Sequence, residues 1–326
     1  MKNFVLIFVF LMTVNLLVPI GYARLYTNLN SIEKPQEEYK NEQPLSSDEK
    51  IVLFDRSSDG LIEVGLIDYL VGAAACEMPA LYEAEAIKAQ MIAIHSYYQY
   101  CIANPEYING GYITVNEQKM KGYTSKARLN EFWGMNYYDY YNKFLRCANE
   151  VCNEILTYED KPVLASYYAV SCGKTAQSSE IWNQQLDYLV TVDSSFDAVS
   201  DDYLKIKEFP VNELYTILKS TFPFLEIKES KPEEWFGDII YYDSGYAKYV
   251  PVGIDKIPGD QFRDALGLPS SCVLVFLEDD VFSVATKGYG HGVGMSQFGA
   301  NQLSQQGKNY KDILSHYYPG TVLKEI

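Results

Sequence analysis

Positive charge is what this chain has least of. Its 27 Lys and Arg face 43 Asp and Glu, for a formal net charge of −16 and a pI near 4.7. Nucleic-acid binding needs Lys and Arg to neutralise phosphates, and no basic run is present, so no nucleic-acid partner is expected. Peripheral docking on anionic lipid is disfavoured on the same ground. Histidine is rarer still, at three residues. The six cysteines, at 76, 101, 147, 152, 172 and 272, form no dense or regular disulfide framework. Cys147 and Cys152 are the one pair that leaves a zinc site open. Their spacing, five apart, is at the wide end of the usual C-x2–4-C, no second pair or histidines accompany them, and buried thiols are the simpler reading. Nucleotide loops are missing too. "CGKT" ends like a phosphate loop, but Tyr168 stands where its first glycine would be. The run G-x-G-x-G-x-G from Gly288 does not fit the dinucleotide pattern G-x-G-x-x-G. There is no internal repeat.

What is present is enough for a substantial core. The chain has 326 residues, 48% hydrophobic and 21% charged, which suits one large domain or two small ones. Tyrosine is abundant, at 29 residues. Its flat, hydroxyl-bearing ring suits polar ligands such as sugars or peptides. Residues 1–23 carry Lys2, then an apolar run, then Gly21-Tyr22-Ala23. They read as an export signal or, given the length of the run, as a retained membrane anchor. Either places the remainder outside the cytoplasm, anchored at the membrane or secreted to the wall. Residues 24–50 read as a polar linker.

Periodicity gives an α+β plan. Ile51 to Val64 alternates as a strand does. "VGLIDYLVGAAACEMPA" makes a helix with a tightly packing alanine face, stopped by Pro79. "EAEAIKAQMIAIHSYYQYCIANP" makes a second helix of about twenty residues, with apolar positions three and four apart. Together they form an αα-hairpin. "EFWGMNYYDYYNKFLRCANEVCNEIL" reads as helical again. "TYEDKPVLASYYAVSCGKT" reads as a β-hairpin, and "VLVFLEDDVFSVATKG" as another, turning at Asp279-Asp280. Ser296 is the expected N-cap of a helix closed by Gly307. Residues 51–326 are read as a single domain of helices and β-hairpins, with about 201–260 an inserted, smaller β-rich lobe.

Glu77 lies at a helix C-terminus, whose partial negative charge opposes a carboxylate. Apolar neighbours oppose it further. Both effects raise its pKa, which a general acid at neutral pH requires. Cys76 beside it, with His291 as base, would make a thiol nucleophile, but a helix C-terminus is the wrong end for a thiolate. In "GYGHGVGMSQFGA" (288–300), glycine falls at every second position. An extended backbone would present one bare side to a ligand or to another backbone. Left-handed glycines would instead shape a turn.

Several blocks resemble one family together. They are "CEMPALYEAEAIKAQMIAIHSYYQY", "YYAVSCGKT", "IPGDQFRDALGLPSS" and "GYGHGVGMSQFGANQLSQQGKNYKDILSHYYPGT". From about Leu61 to the C-terminus the chain resembles the stage II sporulation protein D family, shared with enhancer proteins of cell-wall amidases. The resemblance implies a peptidoglycan lytic transglycosylase acting on glycan strands, with a cell-wall amidase or endopeptidase as partner. It requires no cofactor. Such an enzyme cleaves between N-acetylmuramic acid and N-acetylglucosamine and leaves a 1,6-anhydro end. Glu77 matches the family's catalytic glutamate. His95, Tyr97, Ser171, Gly173, Lys174, His291, Ser296 and Gln297 fall in blocks implied to line the glycan groove. Ile94-His95-Ser96-Tyr97 stands where the family reads A-R-T-Y. A titratable histidine there would weaken the function or make it pH-dependent, unless it is only a local packing change. A non-catalytic, glycan-binding enhancer of an amidase is the alternative function.

Overall fold

The alternation from Ile51 to Val64 is interrupted by Arg56-Ser57-Ser58-Asp59-Gly60, which is turn chemistry. In the computed structural model the segment is accordingly two strands, β1 (Lys50–Asp55) and β2 (Gly60–Gly65), paired antiparallel. The turn is tied by Asp55, whose carboxylate accepts from the Ser57 and Ser58 amides at 3.1 and 3.0 Å. The structure describes residues 49–105 and 111–326, all within the unit Gln43–Ile326. The expected signal or anchor, and the linker up to residue 48, lie outside the described residues. Among the described residues, no helix is long and apolar enough to cross a membrane.

Next come α1 (Leu66–Glu77) and α2 (Ala84–Ala103), the expected αα-hairpin. Leu66, Ile67, Leu70 and Val71 are buried, and Ala73 to Ala75 keep the face thin enough for close packing. Gly72 is required by that closeness, since a Cβ there would lie 2.2 Å from the Thr124 carbonyl oxygen. β3 (Ile113–Val115) runs parallel to β1, giving the order β2-β1-β3.

The stretch expected to be one helix is two: α3 (Lys126–Trp133) and α4 (Tyr137–Val151). Gly134, at φ 53°, turns the chain between them, and Glu154 onward leaves the helix as β4 (Glu154–Tyr158). β4 pairs with β5 (Lys161–Pro162) through a turn at Glu159-Asp160, as expected. The following "VLASYYAV" is mostly irregular. Only β6 (Tyr167–Tyr168) is a strand, and its partner is not a hairpin neighbour but the distant β13 (Met295–Ser296), in parallel. A long-range pairing of two residues leaves no local periodicity to read. A short helix, α5 (Ser178–Ile181), follows.

A second hydrophobic core runs from Phe209 to Val284. It draws on β7 (Leu204–Pro210), α6 (Val211–Thr221), β9 (Ala247–Val252), β10 (Asp255–Pro258) and α7 (Gly259–Leu266), while the exposed β8 (Ile240–Tyr241) pairs along β9. The hairpin of β11 (Val273–Glu278) and β12 (Val281–Lys287) completes it, turning at Asp279-Asp280 as the sequence indicates. Trp235 is buried there, stacked on Phe282 at 5.2 Å. The chain then returns to the first core through α8 (Gln297–Gln305), α9 (Tyr310–Tyr317) and β14 (Val322–Glu325), which pairs with β4. The class is α+β, with small open sheets around helices.

Candidate active site

Glu77 is the last residue of α1. Pro79 prevents another turn, and the connection to α2 is clamped from two sides. The Lys143 ammonium on α4 donates to the carbonyls of Ala80, at 3.0 Å, and of Tyr82. The Glu83 amide donates to the Asn301 side chain on α8 at 2.8 Å. The N-terminal residue of α8, Gln297, hydrogen-bonds the Glu77 carboxyl and also reaches Gln90 on α2, at 3.4 Å. Burial pushes the Glu77 pKa above its usual 4.5, and the Gln297 hydrogen bond only partly opposes this. Sequence places the acid at the helix end; the fold adds the partly dry surroundings.

A cleft of about 380 Å³ lies near the helix that ends in Glu77; Glu77 is not one of its lining residues, but its charge acts on Tyr69 and Tyr167, which are. Tyr69, Tyr97, Tyr112 and Tyr167 line it with Arg56 and Thr114. Ala73 and Tyr69 precede Glu77 by one and two helical turns, so α1 presents them on the cleft side. The phenols of Tyr69 and Tyr167 are held well above their normal pKa by burial and then by neighbouring charges that include Glu77, so both remain hydrogen-bond donors. No carboxylate lines the cleft among the described residues. The cleft itself offers several phenol donors and aromatic faces for a polar, ring-shaped ligand, and Glu77, at the end of the helix that carries Tyr69 and Ala73, is the proton-active acid near it.

Of the residues expected in the groove, Gln297 is brought to Glu77 and Tyr97 to the tyrosine-lined cleft. The others sit elsewhere. His95 is fully buried in α2, 3.3 Å from the Gln99 amide nitrogen and 3.9 Å from Glu49. Burial drives its pKa down to about 4, so the expected titrating substrate contact is instead a neutral packing residue. Ser171 and Ser296 are buried around Asp197. The Ser171 amide donates to its carboxylate at 2.6 Å, and the Ser296 hydroxyl does so at 2.6 Å. The Ser296 oxygen also accepts from the Gly299 amide, the expected N-cap. Gly173 donates to the Ser171 hydroxyl at 3.1 Å, and exposed Lys174 bridges to Asp193, so both belong to this neighbourhood rather than to Glu77's.

His291 packs between Tyr168 and Trp182, with ring centroids 5.5 and 5.4 Å away. Its Nδ1 accepts from the Val293 amide at 3.1 Å. Burial, and then the Arg263 charge, lower its pKa to about 4, so the half-buried ring is neutral. Gly288, Gly290, Gly292 and Gly294 all have positive φ, so the run is turned rather than extended. What approaches them is the protein itself. A Cβ on Gly294 would lie 2.0 Å from the Ser166 carbonyl oxygen, and one on Gly292 would lie 2.3 Å from the Tyr246 ring.

The thiols are equally plain. Burial and the Glu77 charge push Cys76 up to about 12, which removes it as a nucleophile. Cys147 and Cys152 are buried, with pKa values raised by burial. Neither belongs to a cluster of three potential metal ligands among the described residues, so the zinc site left open by their spacing is not assembled there. Sequence reading missed Tyr69 and Tyr167, although both stand in regions it singled out, and the helical step from Glu77 back to Tyr69 was available. It missed Asp197 entirely, because "SFDAV" carries no pattern.

Comparison with known proteins bears on this geometry. Residues 56–158, which include Glu77, match the profile described as "Stage II sporulation protein". The stage II sporulation protein D of Bacillus amyloliquefaciens is 31% identical over 287 residues, 87% of this chain and 80% of the relative. That of Bacillus subtilis (strain 168) is 30% identical over 278 residues, 84% and 79%. A Bacillus subtilis protein named amidase enhancer is 23% identical over 312 residues, covering 78% of this chain but 40% of its own length. With that identity held across most of both chains, from the β1–β2 hairpin through the Glu77 helix and beyond, this protein belongs to the stage II sporulation protein D family.

Proposed function

We propose that this protein is a peptidoglycan lytic transglycosylase that cuts glycan strands during cell-wall remodelling in sporulation, with Glu77 as its general acid and base. The observation that carries the reading is a carboxyl of raised pKa, hydrogen-bonded by Gln297 and near enough to Tyr69 and Tyr167 of the tyrosine-lined cleft for its charge to act on them. Glycosidases of the ordinary kind need two carboxyls. A transglycosylase needs one, because the substrate supplies the nucleophile. Protonated Glu77 gives its proton to the glycosidic oxygen, and the bond to the anomeric carbon breaks. The muramic acid C6 hydroxyl then attacks that carbon and loses its proton to the same carboxylate. A 1,6-anhydro end forms, and Glu77 is protonated again. Tyr69, Tyr97 and Tyr167 supply stacking faces and donors for N-acetyl and hydroxyl groups.

Glu77→Gln tests the role. The variant keeps size and hydrogen bonding, so it folds, and its rate of anhydro-end formation from denuded glycan falls about 10²–10⁴-fold. Full activity in the folded variant would remove Glu77 from the chemistry. The likeness to an amidase enhancer favours a second reading, in which the cleft binds glycan and the protein stimulates a partner amidase. That reading expects stimulation undiminished by Glu77→Gln and no anhydro sugar from the wild type.

A further inference from the structure

Cys172 and Cys272 come from separate parts of the chain and meet at one cleft. The cleft measures about 280 Å³, and Leu204, Tyr241, Leu274 and Lys287 line it with the two sulfurs. Both cysteines are free thiols and only partly buried, unlike Cys101, Cys147 and Cys152. The two sulfurs share this cleft and lie near enough for each to shift the other's ionisation. The backbone on each side is fixed. The Tyr203 hydroxyl donates to the Cys172 carbonyl at 3.1 Å, and the Lys287 amide donates to the Cys272 carbonyl at 2.9 Å. The Cys272 amide donates to the Ser270 hydroxyl at 3.0 Å. The pair is not used by the chemistry at Glu77.

The two thiols are unequal. In the thiolate form of Cys172, a hydrogen bond from Cys272 stabilises the charge and outweighs the opposing burial, and the Tyr246 hydroxyl adds to it. The Cys272 pKa rises because its proton is held in that same bond. Cys172 is the sulfur favoured to attack; in the resting thiol it donates to the Ser244 carbonyl at 3.5 Å.

We infer that Cys172 and Cys272 are a redox pair that closes to an intramolecular disulfide by exchange with a disulfide donor, either a small-molecule disulfide or an oxidoreductase. The Cys172 thiolate attacks one donor sulfur, the donor S–S bond breaks, and the first donor thiolate leaves. The Cys272 thiol then gives up its proton and attacks the Cys172 sulfur. The mixed disulfide breaks, and the second donor thiolate leaves. The protein loses two electrons and two protons, and the donor gains them. The bond would join the segment after β6, which carries the cleft residue Tyr167, to the start of β11. It closes a loop of about a hundred residues, a length at which a cross-link strongly restricts the unfolded chain.

The full chain is reduced, equilibrated with glutathione disulfide under native conditions, alkylated and mapped by mass spectrometry. The expected product has one disulfide joining the Cys172 and Cys272 peptides, with the other four thiols alkylated after unfolding. Its melting temperature exceeds that of the reduced form by several degrees. Cys272→Ser accumulates a Cys172–glutathione mixed disulfide, and Cys172→Ser forms neither product. Six alkylated thiols at every glutathione ratio, a bond between other cysteines, or a melt unchanged by oxidation would overturn the inference. Mapping of the wild type decides the matter even if a serine variant fails to fold.

Discussion

At the scale of the residue, Glu77 combines two opposed demands. Burial keeps its proton on, which serves general-acid chemistry, and makes the ionised form costly to the fold. The folded-state pKa lies above the unfolded value of 4.5, so the stability Glu77 allows is fully present below about pH 4.5 and is lost as pH rises through the folded pKa. Glu77→Gln has no charge to bury. Its thermal melt should match wild type near pH 4 and exceed it at neutral pH, and a lower melt at neutral pH would contradict the burial account. Gln297 acts in the opposite direction, since its hydrogen bond favours the carboxylate. Gln297→Ala should move the alkaline limb of the pH–rate profile upward and lower kcat/KM about tenfold, the worth of one hydrogen bond to a charged group. Glu77 was legible in the sequence because helix end, proline and apolar neighbours are all local. His95 and His291 were not, because only the tertiary packing reveals that the first ring is enclosed, the second half-buried, and both neutral.

At the scale of the element, the glycine run forms the turned base on which β6 rests. Alternate glycines correctly indicate a close approach, but sequence cannot name the visitor, and here it is the Ser166–Ser171 backbone and two tyrosine rings. Gly294→Ala combines a positive φ of 84° with an overlap on Ser166 and should destabilise by about 2–4 kcal/mol. Gly307→Ala has φ 86° but open space around it, and should cost about 1 kcal/mol. Denaturant unfolding of the two variants compares them, and equal losses would mean that the close approach contributes nothing. Helices with continuous periodicity, such as α2, were readable to within a residue or two. The break at Gly134 and the two-residue pairing of β6 with β13 were not, because one depends on a single backbone angle and the other on residues 128 positions apart.

At the scale of the whole molecule, two cores serve different ends. The first carries the helices that set Glu77 against Gln297, and the second builds a lobe from Phe209 to Val284. The surface is strongly acidic, at −16, and denuded glycan is itself anionic through the lactyl carboxylates of muramic acid. Long-range charge therefore opposes encounter, and Arg56 at the cleft is the local exception. KM for denuded glycan should fall or stay level as ionic strength rises to about 0.15 M, where screening acts within ~8 Å. A steep rise in KM would indicate binding on a cationic surface that the cleft does not have. The overall charge was readable from composition, whereas the clustering of Tyr69, Tyr97, Tyr112 and Tyr167 into one cleft required the fold.

The central claim is that one carboxyl and the substrate's own hydroxyl cleave the glycan without water. Digestion of denuded peptidoglycan in ¹⁸O-water, read by mass spectrometry, tests it most directly. The account predicts new 1,6-anhydro ends, lighter than hydrolysed ends by one water and free of ¹⁸O, from the wild type and not from folded Glu77→Gln. Reducing ends that carry ¹⁸O, or anhydro ends formed equally by Glu77→Gln, would contradict it.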